Sequence, residues 1–418
     1  MSSFNEVQEK MSRKFKVNMG SQSDIGPNRE NQDDCYVVDL PLLEIYAAGV
    51  LDGHSRFTGK LIANAGREFM KQMIENNTDT ILRDPVGFMA DCFERLQEHI
   101  QYVLIEDHKK QGYEIMIEPS GAILKKFAGL NNWSIVSGGT TKTLVLIVKD
   151  MMYIANVGDS SALLCSSHPV LKREHLHYEM DAFARDAIID EVIKEDIPSF
   201  TLELIGDHSV ENEREYKRIK QFAPSDTNPN EAKACFVYDD NNIADKCNCK
   251  PIFKVGEDGV LSKLHENIKY FKNIRKEAST YITSPIGAKY ANSLAFTRTV
   301  GDFGLMEYGV THKPEIQSVN LQTVFGSLKN EKEKTKDTSP DTMCVIVASD
   351  GVWDNWEFKT ACEFVMYDNC VERLVKFPET AGQDVTKSFM ARNDVYAKQN
   401  FGGSADNATA VIMYITKV

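Results

Sequence analysis

Apolar residues fall along this chain in two rhythms. One is a set of short, nearly continuous runs: Ile45 to Leu51, "TKTLVLIV" (141–148), "MMYIANVG" (151–158), "MCVIVAS" (343–349) and "ATAVIMYITKV" (408–418). Runs of this length, rich in Val, Ile and Tyr and closed by Gly, Asp or Ser, predict buried strands. Only Lys149-Asp150 separates the second run from the third, which predicts a β-hairpin and antiparallel pairing. The other rhythm is helical. Leu61, Ile62, Ala65, Phe69, Met73 and Ile74 share one face, and a second amphipathic helix opens at Pro85 with Phe88, Cys92, Phe93, Leu96, Ile100, Val103 and Leu104 inward. These stripes read as core.

Residues 111–136 are looser. Three segments read as insertions into a single domain over 15–418: a helical, charged stretch at about 166–200, a mixed acidic and polar one at 222–290, and a solvated loop at 327–342. Residues 1–14 form an N-terminal extension, and the last run reaches the final residue, so no trailing domain is expected.

Composition fits a soluble globular protein: 418 residues, 42% hydrophobic and 26% charged, with no apolar run of 18 residues and hence no expected membrane span. The first residues lack the apolar stretch of a secretory signal and the second-position glycine needed for myristoylation. A net charge of −13 argues against a nucleic-acid surface. The nine cysteines are scattered and odd in number, which suits reduced thiols inside the cell, with cytoplasm and nucleus both open. Cys247-x-Cys249 lacks a second pair at zinc spacing.

Charge changes the picture where the strands stop. Asp52 follows the first apolar run in "VLDGHSRFTG", Asp159 follows "YIANVG", and Asp350 and Asp354 lie in "VIVASDGVWDN". Asp406 precedes the last run, while Asp33 and Asp34 in "NRENQDD" precede a short one. One such acid is ordinary turn chemistry. Five clusters at strand ends could meet on one edge of a sheet assembly, where carboxylates, carbonyls and water suit Mg²⁺ or Mn²⁺. Other chemistries lack their marks: no P-loop, no G-x-S-x-G elbow, no H-E-x-x-H and no kinase set.

The order of these motifs, from "NRENQDD" through "SGGTTKTLVLI", "LIGDHSVENEREYKRI" and "LAFTRTVGDFG" to "SADNATAVIMY", resembles the metal-dependent type-2C family of serine/threonine protein phosphatases. The resemblance implies an α+β fold, a four-layer αββα sandwich of two antiparallel sheets flanked by helix pairs. It implies two or three Mn²⁺ or Mg²⁺ ions in a cleft at one end. Asp52 would bridge two ions, the Gly53 carbonyl would complete the second ion's shell, Asp350 and Asp406 would hold the first ion, and Asp159 with Asp354 a third, weaker one. His54 would be the general acid for the leaving alkoxide. A metal-bridging water would attack phosphorus directly, with no covalent phosphoenzyme.

Two departures stand out. Ser55-Arg56 replace the glycines usual after the histidine, so Arg56 either binds phosphate or is a surface arginine. In "NRENQDD" the acid pair is either Asp33/Asp34 or Gln32/Asp33, with Asp33 at the metal site in both registers and Arg29 the phosphate-binding candidate. His208 reads as part of a helix start, Asp302 as a backbone-bonding turn residue and Trp353 as core. The implied substrates are phosphoserine and phosphothreonine proteins, handled by a monomer whose 222–290 insertion docks a substrate or regulator. An inactive pseudophosphatase acting as a binding module is the alternative, and hydrolysis of a small phosphoester is a third reading.

Overall fold

In the computed structural model, residues 14–27, 30, 32–180, 197–222 and 233–418 are described. The main strands are β1 (Phe15–Asp24), β2 (Asp33–Leu40), β3 (Ile45–His54), β4 (Lys142–Val148), β5 (Met151–Val157), β6 (Ser161–Ser166), β7 (Leu176–Met180), β8 (Thr201–Glu203), β9 (Glu315–Asn320), β10 (Thr342–Ala348) and β11 (Ala408–Lys417). They form two antiparallel sheets. One runs β1-β11-β10-β6-β8; the other runs β7-β9-β5-β4-β3, with β2 also paired to β3. The β4–β5 hairpin turns at Lys149-Asp150 as expected, with Lys149 in the left-handed region at φ 57°.

The continuous apolar runs make sense because both faces of each sheet are covered. Alternate residues point opposite ways along a strand. Val145 and Ile147 of β4 meet Val345 and Val347 of β10 in a core between the sheets. Leu144, Leu146 and Val148 point instead at helices α1 (Gly59–Asn76) and α2 (Pro85–Lys110). On the far side Cys344, Ile346, Ile412 and Tyr414 pack beneath α6 (Phe358–Val365) and α7 (Ala381–Asn400). Antiparallel sheets normally alternate apolar with polar, and here the helix layers on both sides remove that need. The result is the four-layer αββα sandwich.

Several sequence expectations need correction. The buried face of α1 is Ile62, Ala63, Gly66, Met70, Met73 and Ile74, about one residue round from the expected stripe. Gly66 is the cause: a Cβ there would collide with Leu51, so the helix turns its smallest residue to the sheet and sits close. Residues 327–342 are not simply a loop, because α4 (Leu321–Thr335) runs through most of them, with Leu328 and Lys332 buried. Within 166–200 the described residues form β7 and a short 3-10 turn rather than a helix; 181–196 lie outside the described residues. The stretch 111–136 holds a small antiparallel sheet, Tyr113–Ile117 with Ile123–Phe127 and Ser134–Ile135. The 222–290 segment carries a sheet of its own, Cys235–Tyr238 paired with Thr280–Thr283, around a separate core that includes Phe236, Ile252 and Ile282. Residues 223–232 of it lie outside the described residues.

Register carries the acids to one end of the sandwich. Asp33 pairs with Asp52 across β2–β3. Ser161, at the start of β6, pairs with Ala348 at the end of β10, and Ala348 pairs with Ala410 near the start of β11.

Candidate functional site

Because β2 runs antiparallel to β3, Asp33 is carried back beside Asp52, and the turns holding Asp159, Asp350 and Asp406 flank them. Asp33 is buried and held from two sides: Ser349 Oγ donates to its Oδ2 at 2.6 Å, and Asn407 Nδ2 donates to its Oδ1 at 3.1 Å. The Asp52 backbone is fixed by Thr141, whose hydroxyl accepts from its N–H at 3.2 Å and whose own N–H donates to its carbonyl at 2.9 Å. Asp350 opens a short helix, α5 (Asp350–Trp353), and Asp354 caps its C-terminal end. Trp353 is core, donating its indole N–H to the Ala348 carbonyl at 2.9 Å, as its sequence setting suggests.

These acids sense one another. Burial, then the charges of Asp33, Asp350, Asp406 and Asp159, push the Asp52 carboxyl well above the usual range. Burial likewise raises Asp33, outweighing its bond from Ser349, with Asp350 and Asp406 adding to the effect. Asp350 is raised by burial and by Asp159, Asp354 and Asp406. Burial lifts Asp354 to about 7 despite the opposing pull of Lys272.

Asp34 does not join the group. One residue along the pleat from Asp33, it points the other way, where Arg67 Nη1 donates to its Oδ1 at 3.1 Å. Of the two acids, Asp33 faces the cluster and Asp34 faces Arg67. Gln32, in the amide orientation that satisfies both carbonyls, donates to Ser55 O at 2.7 Å and Gly53 O at 3.3 Å. Gly53 has no room for a side chain, since a Cβ would strike the Gly59 and Gln32 carbonyls. Ser55 stands at φ 90°, a conformation glycine takes freely and serine at a cost of about 1–3 kcal/mol. The departure from glycine is thus a strained residue beside the acids. Arg56 is exposed, its guanidinium 5.5 Å from the Phe57 ring centre. Arg29 lies outside the described residues.

Three side chains escaped sequence reasoning. Asp302 is more than a turn residue: its N–H donates to Gly138 O, and its Oδ2 also lies 2.5 Å from His54 Nε2. Burial disfavours the imidazolium, but Asp302 outweighs it and raises the His54 pKa. His54 Nδ1 is buried with no hydrogen-bond partner among the described residues. Lys272, from the 222–290 segment, brings its ammonium 3.4 Å from Asp159 Oδ2. Ser349, the third, could have been noticed only as a small polar residue closing an apolar strand. His208 is buried, its Nδ1 3.2 Å from Gly158 O, and the charged helix its motif leads into begins as expected, capped by Asn212 accepting from Arg214 N–H.

The donors are all oxygens, which suits a hard divalent cation. Asp159 Oδ1 is buried and lacks a hydrogen-bond partner among the described residues. The same residues do not yet form a cage: among those described, no three His, Cys, Asp or Glu side chains converge closely enough to hold an ion as they stand. The Lys272 ammonium meets part of the negative charge instead. Divalent ions would meet the rest, so the residues fit the group in donor type and charge.

Residues 122–225 match the family model described as protein phosphatase 2C. A protein of Arabidopsis thaliana named "Probable protein phosphatase 2C 35" is 23% identical over 332 residues, 78% of this chain. The chain spans 66% of that relative's length, just under two thirds. Among solved structures, a serine-threonine phosphatase 2C from Toxoplasma gondii superposes with a TM-score of 0.49 at 14% identity, covering 96% of this chain and 95% of that one. A serine/threonine phosphatase from S. agalactiae gives 0.46 at 13% identity, covering 95% and 99%.

Proposed function

We infer from the protein phosphatase 2C match that the chain belongs to the type-2C phosphatase family, and on that premise we propose that it is a metal-dependent protein serine/threonine phosphatase. The supporting observation is the crowding of Asp33, Asp52, Asp159, Asp350 and Asp354 at one end of the sandwich, each within electrostatic reach of another. Buried like charges persist only where something of opposite sign meets them in the working state. In this reading Asp52, Asp33, Asp350 and Asp406 hold two Mn²⁺ or Mg²⁺ ions, and a third ion at Asp159 and Asp354 is the resemblance's further expectation. When bound, such ions neutralise the phosphoryl oxygens and acidify water.

The chain's own residues supply the rest. Asp302 raises the His54 pKa and so favours the protonated ring that a general acid for a leaving alkoxide requires. Asp302 occupies Nε2, which leaves the buried Nδ1 as the ring nitrogen without a hydrogen-bond partner among the described residues. Arg29 and Arg56 are the candidates for gripping the substrate phosphate. Phosphoserine and phosphothreonine proteins are the proposed substrates, acted on by an intracellular monomer, with the 222–290 segment as a docking element. No helix among the described residues is long and apolar enough to cross a membrane.

One observation favours the second reading, a binding module without turnover. Gln32 replaces an acid beside the metal site, and its amide occupies the Gly53 carbonyl. Phosphate release from phosphothreonyl, phosphoseryl and phosphotyrosyl peptides in Mn²⁺ separates the two. Turnover of the first two peptides alone is expected. Binding of Mn²⁺ with no release from any peptide would establish the module.

A further inference from the structure

The acids at Asp159 and Asp354 already have a cation, and it comes from the insertion. Residues 270–279 form a tight hairpin: Lys272 N–H donates to Glu277 O at 2.8 Å, Ser279 N–H donates to Tyr270 O at 2.9 Å, and Phe271 bridges Ala278. Inside it Asn273 and Glu277 exchange hydrogen bonds at 2.8 and 3.1 Å. The hairpin is fastened to the strand-end motif itself. Ile274 N–H donates to Asp354 O at 3.1 Å, and Arg275 Nη1 donates to the carbonyls of Trp353 and, at 2.9 Å, Trp356. The Arg275 guanidinium also lies 4.9 Å from the Phe358 ring centre, and its Nε pairs with Glu277 at 3.0 Å.

This clamp leaves the Lys272 backbone little freedom. Its ammonium stands 3.4 Å from Asp159 Oδ2 and 3.8 Å from Glu277 Oε2, and the charges of Asp354 and Asp350 also act on it. We propose that Lys272 is a built-in counter-ion that closes the Asp159–Asp354 corner to divalent cations, so that this chain binds one ion fewer than its acids would otherwise admit. The physical reason is competition for the same oxygens. A divalent ion on Asp159 would have to displace an ammonium whose backbone is anchored at Trp353, Asp354 and Trp356, or sit beside it against like-charge repulsion. The hairpin thereby sets which acids are free for metal. This rests on the metal-dependent reading above and narrows it to two ions.

Calorimetric titration of the full chain with Mn²⁺ tests it, using wild type, Lys272→Met and the charge-keeping Lys272→Arg, each checked for folding by circular dichroism. Lys272→Gln replaces Lys272→Met if the latter does not fold. The expected result is two ions for wild type and Lys272→Arg, and one more for the neutral variant. An unchanged number in a folded neutral variant overturns the proposal. A wild type without Mn²⁺ and a neutral variant with one ion would support the counter-ion role while overturning the two-ion reading. If neither binds Mn²⁺, both fall.

Discussion

Asp302 and His54 meet at 2.5 Å although 248 residues separate them along the chain. The carboxylate does two things for the imidazole: it fixes the ring through Nε2, and its negative charge favours the protonated form. Asp302→Asn keeps the shape and removes the charge. The variant's His54 pKa, followed by NMR titration, is expected to fall, because burial then acts with less opposition. An unmoved His54 titration would show that Asp302 is only a turn residue. The pair also shows what the sequence could reveal. Asp52, Asp159 and Asp350 were legible because each stops an apolar run, a pattern visible within ten residues. Asp302 and Lys272 carry no such local mark. Their roles come from partners 248 and 113 residues away, and only folding supplies those. Asp34 was misleading for a related reason. Sequence adjacency to Asp33 suggested a pair, whereas the pleat turns neighbouring side chains to opposite faces.

At the scale of elements, strands were the most legible part, since burial on both faces makes them continuous apolar runs. The 222–290 segment was the least legible. Its strands are three or four residues long and are stabilised by a local core and by ties to the frame. The chain just before and just after the segment is tied together by Glu215 on α3 (Glu213–Gln221). Its buried carboxylate meets Arg298 Nη2 at 2.6 Å, Arg218 Nη2 at 2.7 Å and the Thr297 hydroxyl at 2.6 Å. Burial alone would raise this carboxyl, but Arg298 and Arg218 outweigh it and hold it well below its ordinary value. A depressed carboxyl stabilises the fold above its unfolded pKa, and that contribution is lost as pH falls through the folded one. Glu215→Gln is expected to cost about 3–5 kcal/mol in urea unfolding at pH 7, since it removes the carboxylate that two buried guanidiniums share. The loss should shrink in acid below the ordinary glutamate pKa. A variant within about 0.5 kcal/mol of wild type, the usual size of a surface effect, would show that the tie is not structural.

The whole molecule carries a net charge of −13 and gathers several of its acids at one end. Without metal, Asp33, Asp52, Asp350 and Asp354 have folded pKa values above their unfolded ones. The native state then binds more protons than the unfolded chain, so stability falls as pH rises from the ordinary aspartate value of about 3.9 through the folded values, about 7 for Asp354. In EDTA the melting temperature should therefore be lower at pH 7 than at pH 5, and saturating Mn²⁺ should reduce that slope by binding Asp33, Asp52 and Asp350. A melting temperature in EDTA that rises over the same interval would contradict this account of the acid group. The most direct test of the central claim is Mn²⁺-dependent release of phosphate from a phosphothreonyl peptide, measured for wild type, for wild type in EDTA and for Asp350→Asn. Turnover by wild type in Mn²⁺, abolished by chelation and reduced by about a hundredfold or more in the variant, is the expected result, in line with the loss of a transition-state electrostatic contact. Turnover that survives either EDTA or Asp350→Asn would contradict a metal centre built on these acids.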